Sequence, residues 1–180
     1  MTGNIRICDA TPSDAEAIGN ILHKTWLATY PNAEFGITVD DIEERFSRIV
    51  SEEGIRKRAD DLMNLEDTAS FLLAMDGDEA VGLCATGING DNNQLRTLYI
   101  LPEYQKMGIG RMLWNEALKR FDDGKDIIVQ VATYNDNAIG FYKKLGFRET
   151  GKLFYDERFD FKSGARIPET ELLLKRNSDN

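Results

Sequence analysis

Apolar and polar residues alternate over residues 4–10 (NIRICDA), a period of two that predicts an opening β-strand. The period then lengthens. Ala15, Ile18, Ile21 and Leu22 recur at helical spacing behind Thr11-Pro12-Ser13-Asp14-Ala15-Glu16, where a proline sits in the first turn and Ser13 and Glu16 are spaced as a capping box. This helix is expected to end near Thr29, since Pro31 disfavours helical geometry in the residue before it. Residues 38–64 are dense in charge yet keep a helical period. Ile42, Phe46, Ile49 and Val50 make one face, and 55–63 reads as a second short helix. The stretch suits either a solvated flank covering a sheet edge or a lid over an acceptor site.

Two β-runs, 69–75 and 80–87, flank Asp76-Gly77-Asp78, which is a hairpin signal. Gly90-Asp91-Asn92-Asn93 turns the chain into a third run, Gln94 to Leu101, and Pro102 punctuates its exit. An amphipathic helix follows, with Ile109, Met112, Leu113 and Phe121 at roughly helical spacing and Asp122-Asp123-Gly124 as its stop. Residues 126–133 (DIIVQVAT) are nearly continuous in apolar and β-branched side chains, as in a strand covered on both faces. Asn135 to Leu145 reads as a short helix with Ala138, Phe141, Tyr142 and Leu145 on one side and Gly146 at its C-terminal stop. Two strands, at about 147–159 and 166–175, complete the pattern around Lys162-Ser163-Gly164.

Strand–helix–strand–helix in the middle predicts a parallel pair joined by a right-handed crossover. The hairpins on either side make the sheet mixed. The expected fold class is therefore α/β (α+β with a mixed sheet), a central twisted sheet of about seven strands with helices on both faces. A single domain over 1–176 and a frayed tail at 177–180 are expected.

Composition narrows the classes of function. Hydrophobic residues make up 42% and charged residues 29%, the balance of a soluble globular protein, and no apolar run approaches a membrane span. With no signal-peptide pattern at the start, the expected location is cytoplasmic. The net charge of −9 argues against nucleic acid or an anionic membrane as partner, because like charges repel. Cys8 and Cys84 lie in strand-like runs and read as buried, reduced thiols. His23 is the only histidine, so no histidine-based metal cage can be built and no metal is expected.

Candidate chemistry gathers at Gln105-Lys106-Met107-Gly108-Ile109-Gly110-Arg111, where a strand turns into a helix. The first N–H groups of a helix lack intrahelical partners and carry its positive dipole end. Glycines there let an anion, a pyrophosphate above all, approach the backbone. A P-loop is excluded because no Gly-Lys-Ser/Thr follows, and Leu113 stands where a dinucleotide fingerprint needs its third glycine.

The loop, with Gln105, Gly108 and Gly110, resembles the Gln/Arg-x-x-Gly-x-Gly/Ala motif of the GNAT superfamily of acyl-CoA-dependent N-acetyltransferases. Asn135, Ala138, Tyr142, Gly146 and Phe147 resemble that family's second motif, in the right order. The resemblance is close over roughly Thr68 to Phe147. It implies a GNAT-like fold and acetyl-CoA as cosubstrate, held where the 94–101 and 126–133 strands splay apart. The backbone of Leu98, Tyr99 and Ile100 would follow the pantetheine arm. Gln105, Lys106, Met107, Gly108, Ile109, Gly110 and Arg111 would take the pyrophosphate, and Asn135 would contact the cofactor from the opposite strand. Tyr142 would be the catalytic proton donor to the leaving thiolate.

The reaction itself sets the needs of the site. An alkyl ammonium, with a pKa near ~10.4, must lose a proton before it can attack a thioester. The developing oxyanion needs a fixed N–H, and the thiolate needs an acid. Relatives carry a glutamate base at the position of Gln94 or of Gln130, and both are amides here. Glu34, Asp156 and Glu157 are the alternatives considered for the base, beside a water chain. With Tyr30 they are also the candidate substrate residues, on walls formed by 30–36 and 154–161. The expected acceptor is a small cationic amine. Trp26 to Tyr30 resembles the polyamine-acetylating branch, and the acidic balance agrees. Protein N-termini or lysine side chains are alternative acceptors, and a non-catalytic acyl-CoA sensor is an alternative function. A homodimer is one form such a chain can take.

Overall fold

A computed structural model describes residues 4–155 and 161–176. Seven strands form one mixed sheet: β1 (Ile5–Asp9), β2 (Ser70–Asp76), β3 (Glu79–Asn89), β4 (Asn92–Ile100), β5 (Ile127–Ala132), β6 (Arg148–Tyr155) and β7 (Pro168–Leu174). Their order is β1-β2-β3-β4-β5-β7-β6, with β4 and β5 parallel and every other neighbouring pair antiparallel. The hairpin of β2 and β3 turns at Gly77, whose φ of 61° suits a residue without a side chain.

Helices α1 (Ala15–Thr29), α2 (Val39–Ile49), α3 (Glu52–Met63), α4 (Ile109–Leu118) and α5 (Asp136–Lys144) cover the sheet. Adjacent residues of β4 fix the layers. The Leu98 side chain lies toward Gly110 of α4, whereas the hydroxyl of Tyr99 is 2.7 Å from that of Tyr30 at the end of α1. Successive strand side chains point to opposite faces, so α1 and α4 pack on opposite sides. Trp114 of α4 and Tyr142 of α5 both pack on Phe147, at 5.4 and 5.7 Å between ring centroids, which puts α5 on the α4 side.

The core is continuous through the sheet, from Leu72, Leu83 and Leu95 to Leu113, Ile127 and Leu172. A second apolar cluster joins Trp26, Ile42 and Phe46 to Ala132 and Ile167. His23 belongs to this side: it stacks on Phe46 at 5.2 Å and bonds Glu43 across the helix pair at 2.9 Å. Two expectations need correction. The cap of the first helical segment is Thr11 with Asp14, not Ser13 with Glu16, because a 3₁₀ turn at Pro12–Asp14 moves the start back. The Thr11 N–H donates to Asp14 Oδ2 at 2.7 Å. In addition, α4 stops at Leu118, so Phe121 is buried against Trp114 from the following turn, and Met112 is largely exposed. Among the described residues no helix is long and apolar enough to cross a membrane.

Candidate active site

The parallel pair is short. Asn93, Gln94 and Leu95 face Ile127, Ile128 and Val129, and no register pair lies beyond them. Each strand continues on its outer side, β4 along β3 to Ile100 and β5 along β7 to Ala132. The sheet therefore opens between them, leaving the inner backbone edge of Leu98, Tyr99 and Ile100 without a strand partner. The cause is local. Thr97 pairs with Ala85 but Leu95 pairs with Thr86, so Arg96 is an extra residue in β4. Such a bulge bends its strand and increases its twist. Gly87 makes room for it, since a Cβ there would come within 2.3 Å of the Arg96 guanidinium.

The bulge also changes facing. Gln94 and Tyr99 are five residues apart and would point to opposite faces of a regular strand. With one residue bulged out, Gln94, Thr97 and Tyr99 all line the same cleft on the α1–α2 side.

Beyond β4 the chain makes a 3₁₀ turn at Pro102–Tyr104 and enters the glycine loop. The Gln105 side chain donates to the Ile100 carbonyl at 3.2 Å, tying the loop to the strand end. Lys106 and Gly108 both adopt left-handed geometry, with φ of 63° and 83°. For Lys106 this costs roughly 1–2 kcal/mol. Alternation of this kind turns consecutive N–H groups toward one concavity. Among the described residues, the N–H groups of Lys106, Met107, Gly108, Ile109 and Gly110 find no acceptor, while the Gly108 carbonyl already receives Arg111 and Met112 at 3.0 and 3.1 Å. A concavity of this kind at the positive end of α4 can hold an anion, and it is called the anion cradle below. Arg111 is exposed beside it. The space at Gly110 is not demanded by packing, since an added Cβ would meet Phe141 and Leu98 only at 3.5 and 3.7 Å.

Across the opening, Asn135 caps α5, its Oδ1 accepting from the Ala138 N–H at 3.1 Å. Tyr142 is 5% exposed on the inner side of α5. Burial, and then the nearby Cys84 thiol and Tyr99 phenol, push its pKa well above that of a free phenol. It is protonated at physiological pH, so its phenolic oxygen carries a proton to donate.

The cleft on the α1–α2 side measures about 400 Å³. Trp26, Tyr30, Phe46 and Tyr99 supply aromatic walls, Gln94 and Gln130 amides, and Arg45 a guanidinium 5.0 Å from the Trp26 ring centroid. The Tyr134 hydroxyl donates to the Tyr30 carbonyl at 3.0 Å, closing a cluster of three phenols. Tyr30 thus lines the cleft. Glu34 is exposed on the turn between Asn32 and Ile37 and does not line it. Asp156 and Glu157 lie outside the described residues, as does Asp160.

One cleft residue was not foreseen. Glu169, at the start of β7, is 5% exposed and lines the cleft beside Tyr99 and Gln130. The sequence holds one sign of it: in Ile167-Pro168-Glu169-Thr170-Glu171-Leu172 two acids interrupt a strand whose apolar neighbours are buried. Glu171, on the same face, pairs with Lys152 of β6 at 3.2 Å, whereas Glu169, one repeat along, lines the cleft.

Burial above all, with the charge of Glu169 adding to it, raises the Tyr99 and Tyr134 pKa values to about 12 each. A phenol whose folded pKa is raised contributes its full stability below the unfolded value near 10 and loses it as pH climbs toward the folded value. Denaturant titrations should therefore show stability falling between about pH 10 and 12. Tyr99→Phe should flatten that fall, and an equally steep fall in this variant would contradict the burial of the phenol.

The comparisons with known proteins agree with this geometry. The family model described as an acetyltransferase (GNAT) domain matches residues 22–162. The peptidyl-lysine N-acetyltransferase YjaB of Salmonella typhimurium is 34% identical over 94 residues, which span 52% of this chain and 59% of that protein. A putative acetyltransferase of Bacillus subtilis is 30% identical over 114 residues, 62% of this chain and 77% of its own length. Among solved structures, the PaiA N-acetyltransferase of Thermoplasma acidophilum in complex with coenzyme A shares the fold. Its TM-score is 0.68 at 24% identity, over 92% of this chain and 98% of that one. With a family match across most of its length, on a sheet that opens beside a helix N-terminus with unused N–H groups, this chain belongs to the GNAT acetyltransferase family.

Proposed function

We propose that this protein transfers the acetyl group of acetyl-CoA to a primary alkyl amine by direct attack, with a small cationic amine of the polyamine kind as favoured acceptor. One observation carries the reading. The gap between β4 and β5 has an anion cradle at one end and opens on the aromatic cleft, so a thioester lying in the gap would face an amine entering the cleft.

The residues fit the cosubstrate. The N–H groups of 106–110 would receive the pyrophosphate, with Arg111 adding charge. The edge of Leu98, Tyr99 and Ile100 offers strand-type hydrogen bonds to the amide-bearing pantetheine arm. Asn135, half-buried across the gap, retains its side-chain N–H donors for the same ligand, its oxygen being used by the cap. When bound, acetyl-CoA supplies an acyl group activated as a thioester. Tyr142 holds a proton on its phenolic oxygen for the departing sulfur. The cleft offers π-faces and phenolic oxygens, which suit an ammonium on an apolar stem. A second reading, a lysine side chain, draws support from the similarity to YjaB, and its ammonium on a four-carbon stem makes the same demands.

Three measurements test these assignments. In a panel of spermidine, a simple alkylamine, a lysine peptide and a peptide with only an α-amine, thiol release should give the highest kcat/KM for spermidine. A clear preference for the lysine peptide would transfer the assignment to the second reading. Lack of turnover with every primary amine would refute both.

Gly110→Asp separates folding from binding. A carboxylate in the first turn of α4 is favourable for the helix, by about 0.3–1 kcal/mol, yet repels a pyrophosphate in the cradle. Melting temperature should hold or rise, while stabilisation by acetyl-CoA should vanish from about 2.7 kcal/mol at a hundredfold excess over Kd. Undiminished stabilisation would dismiss the cradle. Tyr142→Phe should keep cofactor affinity and lose about 10²–10⁴-fold in rate when chemistry is limiting, and an unchanged rate would leave Tyr142 a packing residue.

A further inference from the structure

Gln94 and Gln130 both line the cleft, and their neutral amides cannot take a proton from an ammonium. Among the described residues that line it, Glu169 is the one carboxylate. Its Cα pairs with that of Ala132, and Gln130 and Glu171 pair one repeat earlier. Side chains two apart on a strand share a face, so Glu169 and Gln130 point the same way from neighbouring strands. Glu169 therefore sits one repeat along the cleft wall from Gln130.

We propose that Glu169 receives the ammonium of the acceptor and accepts its proton, replacing the base that Gln94 and Gln130 cannot supply. The inference rests on the acetyl-transfer reading above. The step is one proton transfer. An N–H bond of the ammonium breaks, its electron pair stays on nitrogen as the attacking lone pair, and an O–H bond forms on the carboxylate, which later releases the proton to water.

The surroundings favour such an exchange. Burial favours the neutral, protonated form of a carboxyl group, which suits a group that has to accept a proton. Facing the cleft around Glu169 are Tyr30 from α1, Arg45 from α2 and Tyr99 from β4, with Tyr134 just beyond β5, while Arg58 of α3 and Arg96 stand nearer the mouth. All three phenols have raised pKa values, so they stay neutral where the amine titrates and do not compete for the proton. Arg58 is engaged with the carbonyl oxygens of Ala15 and Ile49, at 3.0 and 3.5 Å.

The experiment compares Glu169→Gln and Glu169→Asp with the parent protein, using the best amine of the panel and acetyl-CoA over pH 6–10. Glu169→Gln should lower kcat/KM for the amine by about 10²–10⁴-fold. The loss should be largest at low pH and shrink as the free amine becomes available from solution. Glu169→Asp should recover part of the rate, and acetyl-CoA should bind all three proteins equally. Parent-like kcat/KM in Glu169→Gln, or an equal loss at every pH without rescue by aspartate, overturns the proposal and makes Glu169 a structural residue. Failure of the parent to acetylate any amine would instead overturn the transfer reading, and this role with it.

Discussion

Two parallel strands that stop pairing are the constraint on which the site depends. A strand edge cannot keep its N–H and C=O groups idle inside a protein, because each unmet buried group costs about 1–3 kcal/mol. Gln105 meets the Ile100 carbonyl, and the rest of the inner edge at Leu98–Ile100 must meet solvent or a ligand. The gap is held open by its neighbours, since β4 is paired with β3 throughout and β5 with β7. Each half of the sheet is complete without the other. On one face Trp114, Tyr142 and Phe147 bridge the halves as an aromatic cluster. On the other, the hydroxyl bond between Tyr30 and Tyr99 and the bond from Tyr134 to Tyr30 hold α1 across the opening. The gap is thus rigid without being filled.

Much of this was legible in the sequence, for a physical reason. Strands and helices with one covered face must repeat their apolar residues at periods of 2 and 3.6, so element order and the parallel pair could be read from spacing. Gly108 and Asn135 were legible because their chemistry is local: a left-handed φ at a helix start and a side-chain cap. The misses have longer range. The bulge at Arg96 depends on register with β3, which no periodicity in β4 encodes, and it decides which face Tyr99 occupies. Glu169 was missed because its partners in space, Tyr99 and Gln130, are distant in sequence. The end of α4 was misread because Phe121 fills the place of a helical residue from a turn.

The strand order carries one more consequence, concerning when the site can exist. β7 lies between β5 and β6 although it is the last strand in the chain. Until residues 168–174 have been synthesised, β5 has only its three-residue pairing with β4, and β6 has no neighbour at all. The nascent chain can assemble the first four strands as an antiparallel sheet, but it must hold the second half as an open edge rich in Ile and Val. Such an edge is exposed to wrong partners while it waits. The aromatic cleft and the gap between β4 and β5 are completed together by β7, so a nascent chain that has not yet reached residues 168–174 has neither.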